Sequence, residues 1–535
     1  MKKFIVLLIS LTFNPASYTQ IYNFIELDSN YRTYYDIQSN GSAHLIQMDP
    51  ATPDNLQVVF NHSGNIDSII VGRKAVFGFS NDNGLNWSIN GPLYPGIRSG
   101  FPVIRIMSNG SALIGVNSNF NGGIERAQWL ADIAPGAGTF IILDPGENNN
   151  FPLWPNGIQT SSVTNQSKFV FAANTLLNRG LSITQSQFSG YANQSELSYS
   201  FKCAFALSLS GKIGMAYIMN EIVTPGKVSF RESTDNGVTW STPVLIWDPL
   251  QNNNYGAYNG IDICYSGEVP KVVFETVKYI SYTPDIHSTA QIQFWSPSVN
   301  SGNPVIIDSS NSMTGQNPQN DGYAPVCRPV IGISPNRILV AYCKANPNIL
   351  DSNNYFDIYY TMSDLTGNSW NTPEKLTNFI GTQFDYRYVS ISAMNGRSDR
   401  EDFHLLAQKD SIPGSFVNGA ERSPARIVYL KLQFTPPFGI NNIGSEIPAG
   451  FLLKQNYPNP FNPKTSIDFD IPDESNVKIE VYNSIGKLVA VLADQRLAAG
   501  SYRTDWNAGN FASGIYFYTI KAGKFYDSKK MILIK

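Results

Sequence analysis

The sequence predicts an all-β protein, in which a β-propeller of six or seven blades, with seven favoured, precedes a small antiparallel β-sandwich. Composition is the first observation: charged residues make up 15% of the 535 residues and aromatic residues 13%, with 42 glycines and 32 prolines. Few charges, many aromatic side chains and frequent turn formers favour strands over helices. The second observation is a repeated loop, and the third is a strand unit that recurs along most of the chain.

The repeated loop has eight residues and the pattern Ser-x-Asp-x-Gly-x-x-Trp, at 80–87 and 233–240, and we call these segments the box loops. The aspartate can accept hydrogen bonds from backbone N–H groups of a tight turn, the glycine permits a positive φ, and the tryptophan packs beneath the hairpin. A third copy, at 363–370, has one extra residue between aspartate and glycine. We interpret the pattern as a folding device that locates blades. Its residues are Ser80, Asp82, Gly84, Trp87, Ser233, Asp235, Gly237 and Trp240.

A short apolar strand recurs seven times, at spacings of 44 to 66 residues, and we take it as the second strand of each unit. A recurring unit of that size with about four strands is typical of a propeller blade. Six blades remain an alternative because the third unit, around 161–200, is weakly patterned. The last unit has only three clear strands, so we predict that Tyr31–Ile37 adds its outermost strand and closes the ring. The seven strands begin at Leu56, Leu113, Phe169, Ile213, Val272, Ile338 and Phe403.

The two ends of the chain differ from the middle. A basic start, an apolar run from Phe4 to Phe13 and small residues after it predict a secretory signal peptide at 1–19. We assign 20–437 to the propeller, the Pro-, Gly- and Asn-rich 438–450 to a linker, and 451–535 to the sandwich. The apolar run of the signal peptide is too short to span a bilayer, and no other stretch approaches the roughly 20 apolar residues that a transmembrane helix needs. A net charge of −3 gives no sign of the basic surface with which proteins bind nucleic acids.

The tail carries the motif Asn-Tyr-Pro-Asn-Pro-Phe-Asn-Pro at 456–463, followed by alternating strands and a final Lys-Lys-Met-Ile-Leu-Ile-Lys. These motifs closely resemble the type A C-terminal sorting domain of type IX (Por) secretion cargo. The resemblance implies export to the periplasm, recognition by the outer-membrane translocon, and release or attachment at the cell surface. The recognition residues that it implies are Pro458, Asn459, Pro460, Phe461, Gly514, Tyr516, Lys529, Lys530 and Lys535.

Aromatic and polar residues are frequent just before the inner strands, and the stretch 142–154 recurs as 246–258. In a propeller these loops share one face, opposite the box loops, so they predict a ring of aromatic and polar side chains. Aromatic planes stack on sugar rings, and Asn, Asp and Arg hydrogen-bond to hydroxyls or carboxylates. We therefore predict a binding face for an extracellular glycan or other polymer. Its candidate residues are Tyr94, Arg98, Trp154, Tyr255, Tyr258, Tyr323, Asp385, Tyr386 and Arg387.

The box loops and blades resemble the Asp-box, or BNR, repeats of the sialidase superfamily. That resemblance implies an arginine trio, a tyrosine nucleophile activated by a glutamate, and an aspartate acid/base, although the usual Arg-Ile-Pro motif is absent. Glycoside hydrolysis by a pair of carboxyl groups needs only two such groups across a groove. No spacing in the sequence identifies which two carboxylates would form the pair. We expect a binding module; the alternatives are a sialidase-like glycoside hydrolase and a passive protein-interaction module. The candidates are Arg98, Arg105, Arg328 and Arg387 for the trio, Glu275 with Tyr258 or Tyr323 for the couple, and Asp144, Asp248, Asp262 and Asp385 for paired carboxylates.

Four cysteines show neither a CxxC motif nor a His-linked metal spacing, so we expect no metal and no cofactor, and we expect a monomer. Cys327 and Cys343 lie at equal distances from Pro335 on the two sides of a hairpin-like segment. Facing residues of an antiparallel pair lie within disulfide range. The spacing therefore allows a Cys327–Cys343 disulfide, with two buried thiols as the alternative.

Overall fold

The computed structural model is all-β and confirms the predicted fold class, a β-propeller followed by a small antiparallel β-sandwich. Asp144, Lys535 and nearly all of the predicted signal peptide lie outside the residues that the structure describes. Those residues are 7–8, 20–27, 30–33, 38, 43–63, 72–94, 97–118, 125–143, 153–161, 168–174, 181–187, 190–197, 200–221, 224–311, 322–346, 355–377, 384–396, 401–414, 423–434, 441–444, 447–486, 488–508 and 511–534.

In the described part of the propeller, the strands form seven sheets in chain order. Sheets 1 to 6 contain β3–β6, β7–β10, β11–β14, β15–β18, β19–β22 and β23–β26, and sheet 7 contains β27–β29 with β2 and β1. Short 3₁₀ helices cover Pro249–Gln251 and Asn300–Gly302. The strands are β1 Leu7–Leu8, β2 Gln20–Glu26, β3 Ile46–Met48, β4 Leu56–His62, β5 Lys74–Ser80, β6 Ser88–Pro92, β7 Ser99–Ile106, β8 Ala112–Ser118, β9 Arg126–Asp132, β10 Phe140–Leu143, β11 Leu153–Ser161, β12 Lys168–Asn174, β13 Leu181–Gln187, β14 Gly190–Leu197, β15 Ser200–Leu207, β16 Ile213–Asn220, β17 Pro225–Ser233, β18 Val244–Trp247, β19 Tyr255–Ser266, β20 Val269–Ile280, β21 Thr283–Trp295, β22 Val305–Ser310, β23 Val326–Ile333, β24 Arg337–Ala345, β25 Phe356–Asp364, β26 Glu374–Lys375, β27 Asp385–Ile391, β28 Glu401–Asp410 and β29 Arg426–Phe434.

The seven apolar runs found in the sequence form the second strands β4, β8, β12, β16, β20, β24 and β28. Every residue of β8 is buried, because a second strand is flanked by strands on both edges and covered on both faces. Each sheet runs antiparallel from its inner strand outward, so the inner strands all begin at one end of the channel. The box loops connect third and fourth strands at the other end.

The N-terminal segment closes the ring, but the strand that does so differs from the prediction. Gln20–Glu26, and not Tyr31–Ile37, lies beside β29, and Leu27 N donates to Ile427 O at 3.1 Å. Four of the seven residues in Gln20–Glu26 are isoleucine or aromatic, which suits a strand. Within the predicted segment, Thr33 forms an isolated bridge with Ala425, and residues 34–37 lie outside the described residues.

His62, the last residue of β4, holds the N-terminal segment. Its Nδ1 atom lies 2.7 Å from Arg32 O, and its ring makes an edge contact with Tyr31 at 5.2 Å between centroids. Burial lowers the pKa of His62 below 6.5, and the Arg32 carbonyl partly opposes this effect. The neutral ring thus stabilises the folded state above pH 6.5, and this contribution is lost as the pH falls.

We expect the midpoint temperature of thermal unfolding to decrease as the pH is lowered from about 7.5 to about 5.5. Part of this decrease arises because His62 binds a proton more readily in the unfolded chain than in the folded protein. His62→Gln should flatten this slope, whereas the control His287→Gln, at an exposed position, should keep it. Equal slopes in both variants would show that His62 does not contribute.

The box loops are held by their own side chains. In the first loop, Ser80 Oγ donates to Asp82 Oδ1 at 2.8 Å, Asn86 N donates to the same oxygen at 2.9 Å, and Gly84 N donates to Ser80 Oγ at 2.9 Å. The second loop, 233–240, repeats these three bonds at 2.8 Å each. Gly84 has a φ of 78°, the left-handed conformation that glycine adopts without steric cost. The aspartates are therefore engaged within their loops.

The first box loop also joins two sheets. The Trp87 ring packs against Tyr429 of sheet 7 with 5.1 Å between ring centroids, and Lys431 Nζ donates to Asn83 O at 3.3 Å. The third copy behaves alike: Trp370 of sheet 6 lies 4.8 Å from Phe294 of sheet 5, and Lys271 Nζ donates to Thr366 O. At these two positions the loop fastens its sheet to the preceding one.

The predicted facing of the two cysteines is present. Cys327 of β23 and Cys343 of β24 are direct partners in the antiparallel register, and both are fully buried. Both are free thiols in the structure, so the disulfide that the spacing allows is not formed there. A β-bulge directly follows Cys327 and changes the direction of the strand. The bridge remains a prediction for the oxidised protein.

The chain divides into two compact units, one with 23–395 and 403–431, the other with 1–22, 396–402 and 432–535. The tail of the second unit contains two four-stranded antiparallel sheets, in the orders β30-β35-β32-β31 and β34-β33-β36-β37. Residues 441–444, inside the predicted linker, form a strand of the first sheet, because Asn441 and Asn442 pair with β35. The strands are β30 Asn441–Gly444, β31 Leu452–Leu453, β32 Lys464–Ile471, β33 Ser475–Asn483, β34 Leu488–Leu497, β35 Gly500–Asn507, β36 Gly514–Ala522 and β37 Phe525–Leu533.

Candidate functional site

Six inner strands share one irregularity, a β-bulge close to the strand start. The register with the second strand shifts in β7, β11, β15, β19, β23 and β27. Since the inner strands surround the channel, these bulges form a ring at the end where the strands begin, and we call it the bulge ring. Bulges redirect side chains and are common beside functional sites. The first unpaired residues are Phe101, Trp154, Phe201, Tyr258, Arg328 and Tyr388.

Three members of the bulge ring adopt the left-handed backbone conformation, with φ of 49° at Phe101, 53° at Arg328 and 54° at Tyr388. This conformation is costly for a large side chain and persists only where surrounding contacts enforce it. The contacts that enforce it involve buried charges in two sectors of the ring.

In the first sector, Glu275 of β20 lies opposite the bulge of β19 and is completely buried. Its carboxylate accepts a hydrogen bond from Asn259 N at 3.0 Å and another from Arg328 N of sheet 6. Burial raises the pKa of Glu275, while these N–H groups and the Arg328 charge oppose the rise. Gly260 permits the close approach, because a Cβ there would meet both Glu275 and Pro329. Glu275 therefore fastens the bulges of sheets 5 and 6 together.

In the adjoining sector, the fully buried Tyr323 ring lies between two guanidinium groups. Arg328 Cζ and Arg387 Cζ each lie 4.5 Å from its centroid, and its hydroxyl accepts a hydrogen bond from Tyr388 N at 3.0 Å. Arg387 Nε also contacts Asp385 Oδ2 at 2.5 Å. Burial raises the pKa of Asp385 to about 6, and the Arg387 charge opposes that rise. This sector is a packed network of cations and aromatic rings.

A neighbouring cation, Lys202 of β15, is also buried. Burial lowers its pKa well below the usual value, the nearby Arg328 charge lowers it further, and Glu275 acts in the opposite direction. Burial and the Arg328 charge thus both favour the neutral form of Lys202.

Between sheets 1 and 2 the ring remains partly open. Arg73 Cζ lies 4.5 Å from the Phe101 ring centroid, and Arg73 Nη2 pairs with Glu125 at 2.8 Å. Glu125 also pairs with Arg98 at 3.2 Å, and the Arg98 side chain keeps 35% exposure. An aromatic face and a partly exposed cation are thus adjacent here.

The structure divides the predicted binding-face residues into two groups. Tyr94, Arg98, Tyr255 and Tyr258 are half-buried and reach solvent. The side chain of Trp154 lies outside the described residues. The other four are buried by the cation–aromatic packing described above or by adjacent sheets, and their prediction as an exposed face is wrong; they are Tyr323, Asp385, Tyr386 and Arg387.

The candidate catalytic carboxylates that the structure describes already have partners. Asp248 accepts from Leu250 N at 3.0 Å and begins a 3₁₀ helix. Asp262 contacts His44 Nε2 at 2.9 Å and accepts from Ile331 N at 2.9 Å. Asp385 and Glu275 belong to the network above. Of the candidate arginines, Arg105 lies near the end of β7, away from the bulge ring, so the four do not meet at one exposed point.

The bulge ring is the feature that the sequence analysis missed. A signal was present: Phe101, Trp154 and Arg328 are each followed by proline at the start of an inner strand. Proline cannot donate a ladder hydrogen bond and is confined within sheets to edges, first residues and bulges. The partners Arg73 and Glu125 had no such signal.

In the tail, two residues of the 456–463 motif bond to the final strand. Asn459 Oδ1 accepts a hydrogen bond from Ile532 N of β37 at 2.9 Å, and Asn459 Nδ2 donates to Lys530 O at 3.3 Å. Phe461 is buried, and its N–H donates to Ile532 O at 2.9 Å. The 456–463 motif thus covers the outer edge of the final strand.

Residues 455–535 match the family model of the secretion system C-terminal sorting domain. We call this segment the sorting domain. Its presence indicates handling by the type IX secretion system, so the protein is secreted or located at the cell surface. In the sorting domain, the prolines Pro458 and Pro460 follow cis peptide bonds, and Tyr516 is buried with its hydroxyl donating to Ala512 O at 2.7 Å.

Comparison with solved structures gives likenesses to carbohydrate-active proteins. An ulvan lyase, a polysaccharide lyase, has a TM-score of 0.48 and 11% identity over 76% of this chain and 95% of its own. An exo-β-1,3-galactanase from Phanerochaete chrysosporium has a TM-score of 0.33 and 9% identity, covering 95% and 100%. A protein of unknown function from Dyadobacter fermentans has a TM-score of 0.39 and 12% identity, covering 77% and 99%. No curated protein matches the sequence.

Two further searches concern the described residues alone. Within them, no helix has the length and apolar character needed to cross a membrane. In the same ranges, no group of three or more His, Cys, Asp or Glu side chains is arranged to hold a metal ion.

Proposed function

We propose that the propeller of this secreted protein binds an extracellular glycan at the bulge ring. One observation carries the proposal: six equivalent bulges assign five aromatic residues and one arginine to the same position around the channel. Aromatic rings stack on the C–H faces of sugars, and nearby polar groups fix orientation. A surface or extracellular location would bring the ring to such polymers.

The accessible part of the ring gives the proposal its contacts. Phe101 and Tyr258 are half-buried, so their rings can present one face to a ligand. Beside them, Arg98 supplies a partly exposed cation, and the half-buried Asn259 supplies an amide. The buried Tyr323 and Glu275 act beneath this surface by holding the bulges in place.

The alternatives are a sialidase-like glycoside hydrolase and a passive protein-interaction module. A glycosidase of the usual type needs two carboxyl groups flanking the scissile bond. Asp248, Asp262, Asp385 and Glu275 are each engaged by protein groups, which favours binding over hydrolysis. The experiment below separates the three functions.

The purified protein is incubated with a mixed library of neutral and sialylated glycans, and mass spectrometry records both bound and cleaved species. We expect retention without cleavage, and an affinity loss of about fivefold for Tyr258→Ala and for Phe101→Ala, because one aromatic stack contributes about 1 kcal/mol. The control Leu209→Ala, exposed at the opposite end of the channel, should bind like the wild type.

Each other outcome has a defined meaning. Cleaved products would support the hydrolase and contradict the binding module. If the glycans are neither retained nor cleaved, the result would favour the protein-interaction module. Retention that is unchanged in both aromatic variants would place the binding site away from the bulge ring.

A further inference from the structure

A buried pair of side chains crosses the channel of the propeller. His44, which precedes β3 of sheet 1, places its Nε2 atom 2.9 Å from Asp262 Oδ1 of sheet 5. Sheets 1 and 5 are not neighbours in the ring, because sheets 6 and 7 separate them on one side and sheets 2, 3 and 4 on the other. The contact therefore spans the channel, and we call these two side chains the channel pair.

The channel pair joins four sheets. His44 Nδ1 lies 3.1 Å from Ile391 O of sheet 7, and Asp262 Oδ2 accepts a hydrogen bond from Ile331 N of sheet 6 at 2.9 Å. All four residues are buried. Asp262, Ile331 and Ile391 each follow the bulge of their own inner strand by three or four residues. The pair therefore lies directly beneath the bulge ring.

The partners of the His44 ring determine where its protons are. A carbonyl oxygen only accepts, so Nδ1 carries the proton that it donates to Ile391 O. Nε2 faces a carboxyl group that already accepts from Ile263 N at 2.9 Å and from Ile331 N. Hydrogen bonds from N–H groups favour the ionised carboxylate, and a carboxylate needs a donor at Nε2. A neutral imidazole has only one N–H group, so these bonds are all made only when His44 is an imidazolium.

The other titratable groups near the pair keep their charge states around neutral pH. Burial lowers the pKa of Arg105 in sheet 2 to about 10, and the Asp262 charge opposes this effect, so Arg105 stays a cation. Burial raises the pKa of Cys264, and the Asp262 charge raises it further, so the thiol stays neutral. Sheets 6 and 7 contribute the backbone groups of Ile331 and Ile391 to the pair. His44 is therefore the member of this set that loses a proton first as the pH rises.

We propose that the channel pair is a pH-sensitive switch, in which His44 carries a proton on each ring nitrogen at neutral pH and releases one at alkaline pH. After that loss, one nitrogen lone pair faces either Ile391 O or the Asp262 carboxylate, and sheet 1 loses its bond to sheet 7 or to sheet 5. This switch does not depend on the proposed glycan binding.

The sign of the pH effect follows from the bonds. In the unfolded chain the loss of the His44 proton breaks no such bond, so the folded state holds this proton more tightly than the unfolded chain. The stabilising contribution of the pair is complete below about pH 6.5, where an unfolded histidine is protonated, and decreases as the pH rises above it. His62 acts in the opposite direction, because its neutral ring stabilises the fold.

The first test counts the protons on the His44 ring by NMR of the full protein labelled with ¹⁵N-histidine. The chain has four histidines, so His62→Gln, His287→Gln and His404→Gln identify the other signals and leave those of His44. We expect two N–H protons on the His44 ring at about pH 7.5, where an ordinary histidine is mostly neutral, and one at about pH 9.5. A single ring proton at the lower pH, or two that persist at the higher pH, would overturn the proposal.

The second test follows the midpoint temperature of thermal unfolding from about pH 6.5 to about pH 9. The wild type should exceed His44→Gln most at the lowest pH, and this difference should shrink as the pH rises. The control His287→Gln, at an exposed position, should follow the wild type throughout. A difference between wild type and His44→Gln that is independent of pH would show that the pair is a fixed contact and not a switch. If His44→Gln does not fold, the proton count in the wild type decides.

Discussion

Replacing Glu275 with alanine will strongly destabilise the propeller, by about 3–5 kcal/mol. The change removes the carboxylate that accepts hydrogen bonds from Asn259 N and Arg328 N, and it removes a negative charge that stabilises the buried Arg328 cation. Differential scanning calorimetry and denaturant unfolding will show a lower midpoint for the propeller transition.

Two other glutamate variants make this prediction specific. Glu275→Gln keeps one acceptor oxygen and should lie between the wild type and the alanine variant. Glu268→Ala removes an exposed carboxylate from the turn after β19 and should unfold like the wild type. If Glu275→Ala unfolds like Glu268→Ala, the carboxylate does not join the two bulges.

Replacing Trp506 with alanine will unfold the sorting domain and stop secretion. Trp506 is completely buried and packs against Phe461, Phe511 and Tyr516 with ring centroids 5.2–5.5 Å apart. Losing a buried tryptophan costs about 3–5 kcal/mol, a large part of the 5–15 kcal/mol that stabilises a typical domain. The variant should accumulate in the periplasm, which immunoblots of periplasmic, surface and culture-medium fractions will measure.

Matched variants separate folding from surface recognition. Trp506→Phe keeps an aromatic ring and removes an indole N–H that has no hydrogen-bond partner among the described residues, so it should be secreted nearly normally. Tyr526→Ala truncates an exposed side chain of β37 and should leave the sorting domain folded. Normal secretion of Trp506→Ala would show that the folded core is not needed for export.

The fold was predictable because its signals are local. In the first box loop the serine and aspartate side chains bond to partners within the same eight residues, and the second strands are short apolar runs. The sorting domain was equally predictable, because β32 alternates between outward polar and inward apolar residues from Ser466 to Ile471.

The candidate site was less predictable because its contacts are distant in sequence. Whether Tyr258 enters a bulge depends on how β19 pairs with β20, and Tyr323 is buried in part because Arg328 and Arg387 converge on it. Charged residues near strand starts are usually exposed, so Asp385 and Arg387 suggested a surface. Their spacing of two residues, on the same side of a strand, was the available sign of an internal ion pair.

The backbone hydrogen bond between Leu27 and Ile427 constrains the order in which the propeller can fold. These residues are among the first and the last of the propeller to be synthesised, so the ring cannot be completed until nearly the whole domain has been translated. Until then, the edge of β2 that pairs with β29 has no partner, and an unpaired edge is a template for association with other chains. Folds dominated by such distant pairings form slowly. The propeller therefore depends on protection from self-association between its synthesis and its closure.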